Sequence, residues 1–190
     1  MENLVKAGKI QQTIKQTIKF SGTALHSGEK VNLTFKPAAE DTGIIFKRID
    51  LPRNPEVKVN PLSVVSTNRC TTIGREEENS FKIQTVEHML AAVRALDIDN
   101  MLIEIDGPEV PIGDGSALPF YRAFKESGIK TLSEKRNIIV IEKPLWIREE
   151  NCHMVILPYS VFKIDYILDY DHPVIGTQFF EFDIDKDSFA

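Results

Sequence analysis

With 190 residues, 42% apolar and 27% charged, the chain is long enough for one good hydrophobic core, or for one domain and part of another. A net charge of −5 without a compact Lys/Arg cluster argues against nucleic acid as a partner, and no apolar run is long enough for a transmembrane segment. Met1 to Ile10 lacks the apolar core of a secretory signal, and two distant cysteines, Cys70 and Cys152, with no CxxC pair fit a reduced, cytoplasmic protein.

Between Gln11 and Phe20, Ile14, Ile18 and Phe20 alternate with polar residues, which predicts one half-buried strand. A turn-rich connection, Ser21 to Gly28, leads to a second alternating run, Val31 to Phe35, expected to be its antiparallel neighbour. Gly43 to Arg48 reads as another strand. Pro52, Pro55 and Pro61 mark a loop region with a short strand at most over Val57 to Val59. Arg69 to Ile73 is predicted to be a strand, and Gly74 to Ser80, with three consecutive glutamates, a solvated turn.

A helix follows, with Val86, Met89, Leu90, Val93 and Leu96 as its buried stripe, ending near Asp97. Asn100 to Ile105 is a strand stopped by Gly107-Pro108. Pro111 to Ser116 is a tight loop whose serine can cap a second helix to about Ser127, with Gly128 in the C-cap place. Phe120, Ala123 and Phe124 share one side of that helix. Strands with two helices on one sheet face describe an α+β two-layer sandwich over 10–130. Lys130 to Asn137 reads as a polar linker. Strand patterns resume at Ile138 to Ile141, Leu145 to Ile147, His153 to Leu157 and Val161 to Tyr170, so 136–190 is expected to be an incomplete second domain, mainly strands.

The residues with most chemistry are Glu87 and His88. At roughly 100° per residue they fall outside the apolar stripe, and His88 shares its face with Gln84, Ala91 and Ala95, with Ala92 close by. So small a face lets another layer approach and leaves the imidazole in a cleft. Position in the first turn, with its free N–H groups and dipole, favours an ionised Glu87 and a neutral His88. By itself, a Glu-His pair is more often a helix-start glutamate beside an exposed histidine. Asp114 in Gly113-Asp114-Gly115-Ser116 reads first as a turn former. Cys70 reads first as a small buried hydrophobe, and His26 as a solvent-exposed loop residue. Asp169-Tyr170-Asp171-His172-Pro173 places two carboxylates, a phenol and an imidazole at a strand end, where they could bind sugar hydroxyls or a metal, or simply terminate the strand. Phosphate-cradling P-loops, GxGxxG and GxSxG are missing from the sequence, so common nucleotide and serine-hydrolase folds lose support.

Taken in order, Leu25-His26-Ser27-Gly28, Thr85-Val86-Glu87-His88-Met89-Leu90-Ala91-Ala92, Asp99-Asn100, Pro108-Glu109-Val110-Pro111-Ile112, Asp114-Gly115-Ser116-Ala117 and Asp169 to Pro173 resemble the UDP-3-O-acyl-N-acetylglucosamine deacetylases, zinc hydrolases of lipid A biosynthesis. The resemblance implies two α+β domains of similar topology with Zn2+ and an acylated UDP-sugar between them. It implies that Glu87 is the catalytic glutamate and His88 a zinc ligand. Cys70 would lie near the acyl-chain passage, with His26, Asp114, Asp171 and His172 about the substrate. It also implies that two further zinc ligands, a general-acid histidine and an acyl-gripping insert belong to a C-terminal portion beyond Ala190. On that expectation, zinc catalysis, which wants three protein ligands and an open position, is incomplete in the chain as given. Two other readings stand beside it: a non-catalytic module binding a sugar nucleotide or a partner, and zinc held by His88 with His26 and His172.

Overall fold

A computed structural model describes residues 4–75, 81–184 and 189 of the chain, and these group into two compact units. One is 7–136; the other is 137–190 together with the residues before Ala7.

The chain order through the first unit is β1 (Leu4–Ile14), β2 (Ile18–Thr23), β3 (Lys30–Pro37), β4 (Ile44–Arg48), β5 (Glu56–Lys58), a 3-10 turn at Pro61–Ser63, β6 (Val64–Ser66), β7 (Thr72–Arg75) and β8 (Phe81–Ile83). Helix α1 (Glu87–Ala95), β9 (Met101–Ile105), α2 (Leu118–Ser127) and β10 (Ile129–Ile139) follow. Five strands form the main sheet in the order β2-β3-β9-β4-β5, antiparallel except where β4 runs parallel to β9. Strands β6, β7 and β8 form a second, antiparallel sheet.

Alternation along the strands decides which face is covered. Val31, Leu33 and Phe35 on β3, Phe46 on β4, and Met101, Ile103 and Ile105 on β9 are all buried in one apolar cluster. Met89, Ala92 and Val93 of α1 and Phe120 and Phe124 of α2 belong to the same cluster. The ring of Phe35 meets those of Phe120 and Phe124 edge-on, with centroids 6.5 and 4.9 Å away. Intervening residues carry charge on the other face, where Lys36 pairs with Glu104 across β3 and β9 at 2.6 Å. The unit is the α+β sheet-and-helix sandwich expected from the pattern. Helix α2 starts where Ser116 Oγ accepts the Leu118 N–H at 3.1 Å, and it ends at Gly128, whose φ of 74° suits a residue without Cβ.

Five local readings are corrected. The alternating run from Gln11 to Phe20 is two strands in two sheets: β1 pairs with β10, while β2 pairs with β3. The bend at Lys15 and Gln16 ends the first, and hydrophobic alternation alone does not register such a break. Lys130 to Asn137 belongs to β10 and is not a loose linker. Its polar side chains have fixed partners: Ser133 Oγ bonds Glu40, and Arg136 clamps Asp97 at 2.9 Å and Asp99 at 2.6 Å. Arg69 and Cys70 precede β7 in a bend, where Arg69 takes φ 62°. Ala92 is fully buried and so belongs to the core face of α1. Of the expected glutamate-rich turn, Gly74 and Arg75 extend β7, and 76–80 lie outside the described residues.

The second unit contains two antiparallel hairpins. One joins β11 (Leu145–Glu149) to β12 (Cys152–Ile156), and the other joins β13 (Lys163–Asp169) to β14 (Thr177–Asp183). Strand β14 was not anticipated from the pattern, although Phe179, Phe180 and Phe182 have high strand propensity. Large apolar residues stay exposed here, Trp146 at 77% and Phe179 at 63% among them. No helix of the described residues is long and apolar enough to cross a membrane.

Candidate functional site

The entry into α1 sets the geometry. Val86, the residue before the helix, is fully buried and donates its N–H to the Thr71 carbonyl at 3.3 Å. In return the Thr71 N–H donates to Glu87 Oε2 at 3.0 Å. This reciprocal pair clasps the start of α1 to the segment just after Cys70. Glu87 is the acidic residue of the first turn of α1. The side chains of Glu87 and His88 are 37% and 32% exposed, and His88 Nε2 lies 3.9 Å from Glu87 Oε1. That separation is too long for a direct hydrogen bond, and both side chains are partly open to solvent.

Thr85 holds the entry at φ 59°. A β-branched residue there is a genuine outlier, costing on the order of 1–3 kcal/mol unless its surroundings over-determine it. They do. Gln84 exchanges backbone bonds with the next loop, donating to Pro108 O at 2.9 Å and accepting from the Val110 N–H at 3.0 Å. Thr85 Oγ1 donates to Glu109 Oε1 at 2.9 Å. The Glu109 carboxylate, 0% exposed, also accepts the N–H groups of His26 and Ser27, each at 3.0 Å. Burial pushes the Glu109 carboxyl upward. The bonds from His26, Ser27 and Thr85 outweigh it and hold the group below the ordinary carboxylate range.

The structure therefore gathers four predicted residues in the first unit. Glu87 and His88 are adjacent, the Cys70 segment is bonded to Glu87 through Thr71, and the His26 loop is bonded through Glu109 to Thr85. Cys70 is buried, with Sγ 3.6 Å from Thr72 Oγ1. Asp114 behaves as a turn former: its Oδ1 accepts the N–H and the hydroxyl of Ser116, and these bonds hold its carboxyl below the usual range. Asp171 and His172 lie in the β13–β14 connection of the second unit. There His172 Nδ1 accepts the N–H groups of Val174 and Ile175 at 3.2 and 3.3 Å. Reading the sequence missed Thr71, Thr85 and Glu109 as site-building residues. The available signal for Glu109 was a carboxylate between Pro108 and Pro111, a few residues after an apolar strand.

Zinc needs three protein ligands. His88 is suited to be one, being partly open with no described residue bonded to its ring. Among the described residues, however, no three His, Cys, Asp or Glu side chains come together. The described residues alone do not make a zinc centre.

Comparison with known proteins completes the picture. Over 180 residues the chain is 41% identical to UDP-3-O-acyl-N-acetylglucosamine deacetylase of Geotalea uraniireducens, an alignment covering 95% of this chain and 58% of that protein. It is 41% identical over 165 residues to the deacetylase of Colwellia psychrerythraea, covering 87% and 53%. Against that of Bdellovibrio bacteriovorus it is 40% identical over 181 residues, covering 95% and 59%. The chain thus spans somewhat over half the length of the curated relatives it matches. Residues 11–190 match the profile of LpxC, UDP-3-O-acyl N-acetylglycosamine deacetylase, and the chain belongs to that family.

Proposed function

We propose that the protein carrying this chain is a zinc-dependent deacetylase that removes the N-acetyl group of UDP-3-O-acyl-N-acetylglucosamine in lipid A biosynthesis, in the cytoplasm. The observation that carries the proposal is the placement of a partly exposed Glu87 beside a partly exposed His88 at the start of α1, with Oε1 and Nε2 3.9 Å apart. The substrate and the reaction are those of the relatives, UDP-3-O-acyl-N-acetylglucosamine deacetylases.

In this reading His88 offers one imidazole to zinc, and the remaining ligands come from the part of the relatives' length that this chain does not span. The isolated chain then lacks turnover. The chemistry assigned to these residues is that of Glu87. A water oxygen adds to the acetamide carbonyl carbon while Glu87 takes a proton from it. The C–N bond then breaks as the nitrogen takes a proton from the general-acid histidine expected beyond this chain, so that a free amine and acetate are released. The 3-O-acyl chain stays on the sugar. Thr71 keeps one oxygen of Glu87 occupied at 3.0 Å, so Oε1 is the oxygen left to act as base. Cys70, His26, Asp114, Asp171 and His172 are assigned to substrate binding.

The test is full-length protein assayed for acetate release, wild type against Glu87→Ala, with zinc content measured in both. Loss of about 10²–10⁴-fold in turnover at unchanged zinc content supports the assignment. Retained turnover in the zinc-loaded variant overturns the role of Glu87, and an inactive wild type overturns the reaction.

A further inference from the structure

The α1 entry has an unusual support. Glu109 is fully buried, yet it is neither at the open side nor paired with a cation in any described ion pair. Its donors come from two separate segments: two backbone N–H groups from the loop holding His26, and the hydroxyl of Thr85 just before α1. Thr85 is also the residue in the left-handed conformation, which sets the direction in which the helix leaves the loop. A buried carboxylate with only neutral donors is a costly choice if its sole task is to fill space. An apolar residue would do that at lower cost.

We infer that Glu109 is the positioning residue of this site, fixing the His26 loop and the Glu87/His88 helix start in one register through Thr85. The inference rests on the deacetylase reading for its catalytic consequence, but its physical content is independent of it. The carboxylate offers charged acceptors to all three donors, whereas the amide of a glutamine keeps a single neutral acceptor oxygen. With that oxygen on the backbone N–H groups, Thr85 faces an NH2 and its hydroxyl must reverse from donor to acceptor, and the charge assistance to all three bonds is lost. The contact that over-determines the Thr85 backbone is thereby weakened. The clasp beyond it, Val86 N–H to Thr71 O and Thr71 N–H to Glu87 Oε2, is the next structure to loosen. Glu87 keeps its chemistry but loses its aim.

The experiment compares Glu109→Gln, Thr85→Val and Thr85→Ser in full-length protein by kcat, KM, zinc content, thermal midpoint and amide hydrogen exchange. Thr85→Val keeps the shape and removes only the hydroxyl, whereas Thr85→Ser keeps the donor. For Glu109→Gln, kcat falls by about tenfold or more with KM changed by less than about threefold, because misaim of the base acts on the transition state. Thr85→Val follows in the same direction, and Thr85→Ser returns to within about twofold of wild type. A purely structural role would lower the midpoint and leave kcat per folded molecule unchanged, and that result overturns the inference. If Glu109→Gln does not fold, the Thr85 pair decides by the same criterion. If wild type itself lacks turnover, the deacetylase reading fails and exchange decides the inference. Faster exchange at Thr71 and Val86 as well as at His26 and Ser27 supports it, and faster exchange at His26 and Ser27 alone overturns it.

Discussion

Glu87 Oε2 accepts the backbone N–H of Thr71 at 3.0 Å, so the first side chain of α1 is tied to the segment that follows Cys70. The bond is charge-assisted but half open to water, which places its net worth near 1 kcal/mol. Glu87→Ala should therefore lower the thermal midpoint by only about 3–5 °C. Calorimetry of the chain checks this, and unfolding at room temperature would show that Glu87 has a structural role far beyond that bond.

Acid should weaken the first unit through Glu109 and Asp97. Burial raises the Asp97 carboxyl, but the bonds and charge of Arg136, with Lys9 and Arg94, outweigh it and leave the group lowered. Glu109 is likewise lowered, as its three donors prevail over burial. A carboxyl lowered in the folded state binds fewer protons than in the unfolded chain. Its contribution is thus fully present above the ordinary carboxylate range near pH 4–5 and is lost as pH falls through the depressed folded values. Urea midpoints should be flat from pH 7 to about 5 and decline below that. Asp97→Asn should be less stable at pH 7 and decline less steeply in acid. An unchanged acid slope in that variant would remove Asp97 from the account.

Phe35 links the main sheet to α2 through edge-on contacts with Phe120 and Phe124, and all three are fully buried. Phe35→Ala should cost about 3–5 kcal/mol, from lost transfer energy and the cavity left behind. Phe35→Leu should recover part of that. Denaturant unfolding gives both numbers, and a loss under about 1 kcal/mol for the alanine variant would mean that the rings do not pack as described.

Residues 145–180 expose Trp146, Ile147, Met154, Val155, Ile167, Phe179 and Phe180 on two hairpins. Exposed apolar surface of this extent drives association. The 190-residue chain should elute as more than a monomer at micromolar concentration, and Trp146→Ser with Phe180→Ser should shift it toward the monomer mass. Light scattering after gel filtration decides, and a clean wild-type monomer would contradict the expectation.

Much of this protein was legible in its residues. Alternation placed β3, short apolar runs bounded by turn residues placed β4 and β9, the three- and four-residue spacing placed α1, and Ser116 with Gly128 bracketed α2, because each signal is local to one element. Glu87 and His88 stood out because they lie off the apolar stripe of their own helix. The break between β1 and β2, the ordered β10, the Glu87–Thr71 clasp and the part played by Glu109 were decided only in three dimensions. Each depends on partners far apart in the chain: Glu109 meets His26 across 83 residues and Thr85 across 24. Arg136 meets Asp99 across 37. Hydrophobic periodicity reports which face a residue turns inward. It carries no record of which distant donor a buried carboxylate will find, and at the entry to α1 that choice positions the chemistry.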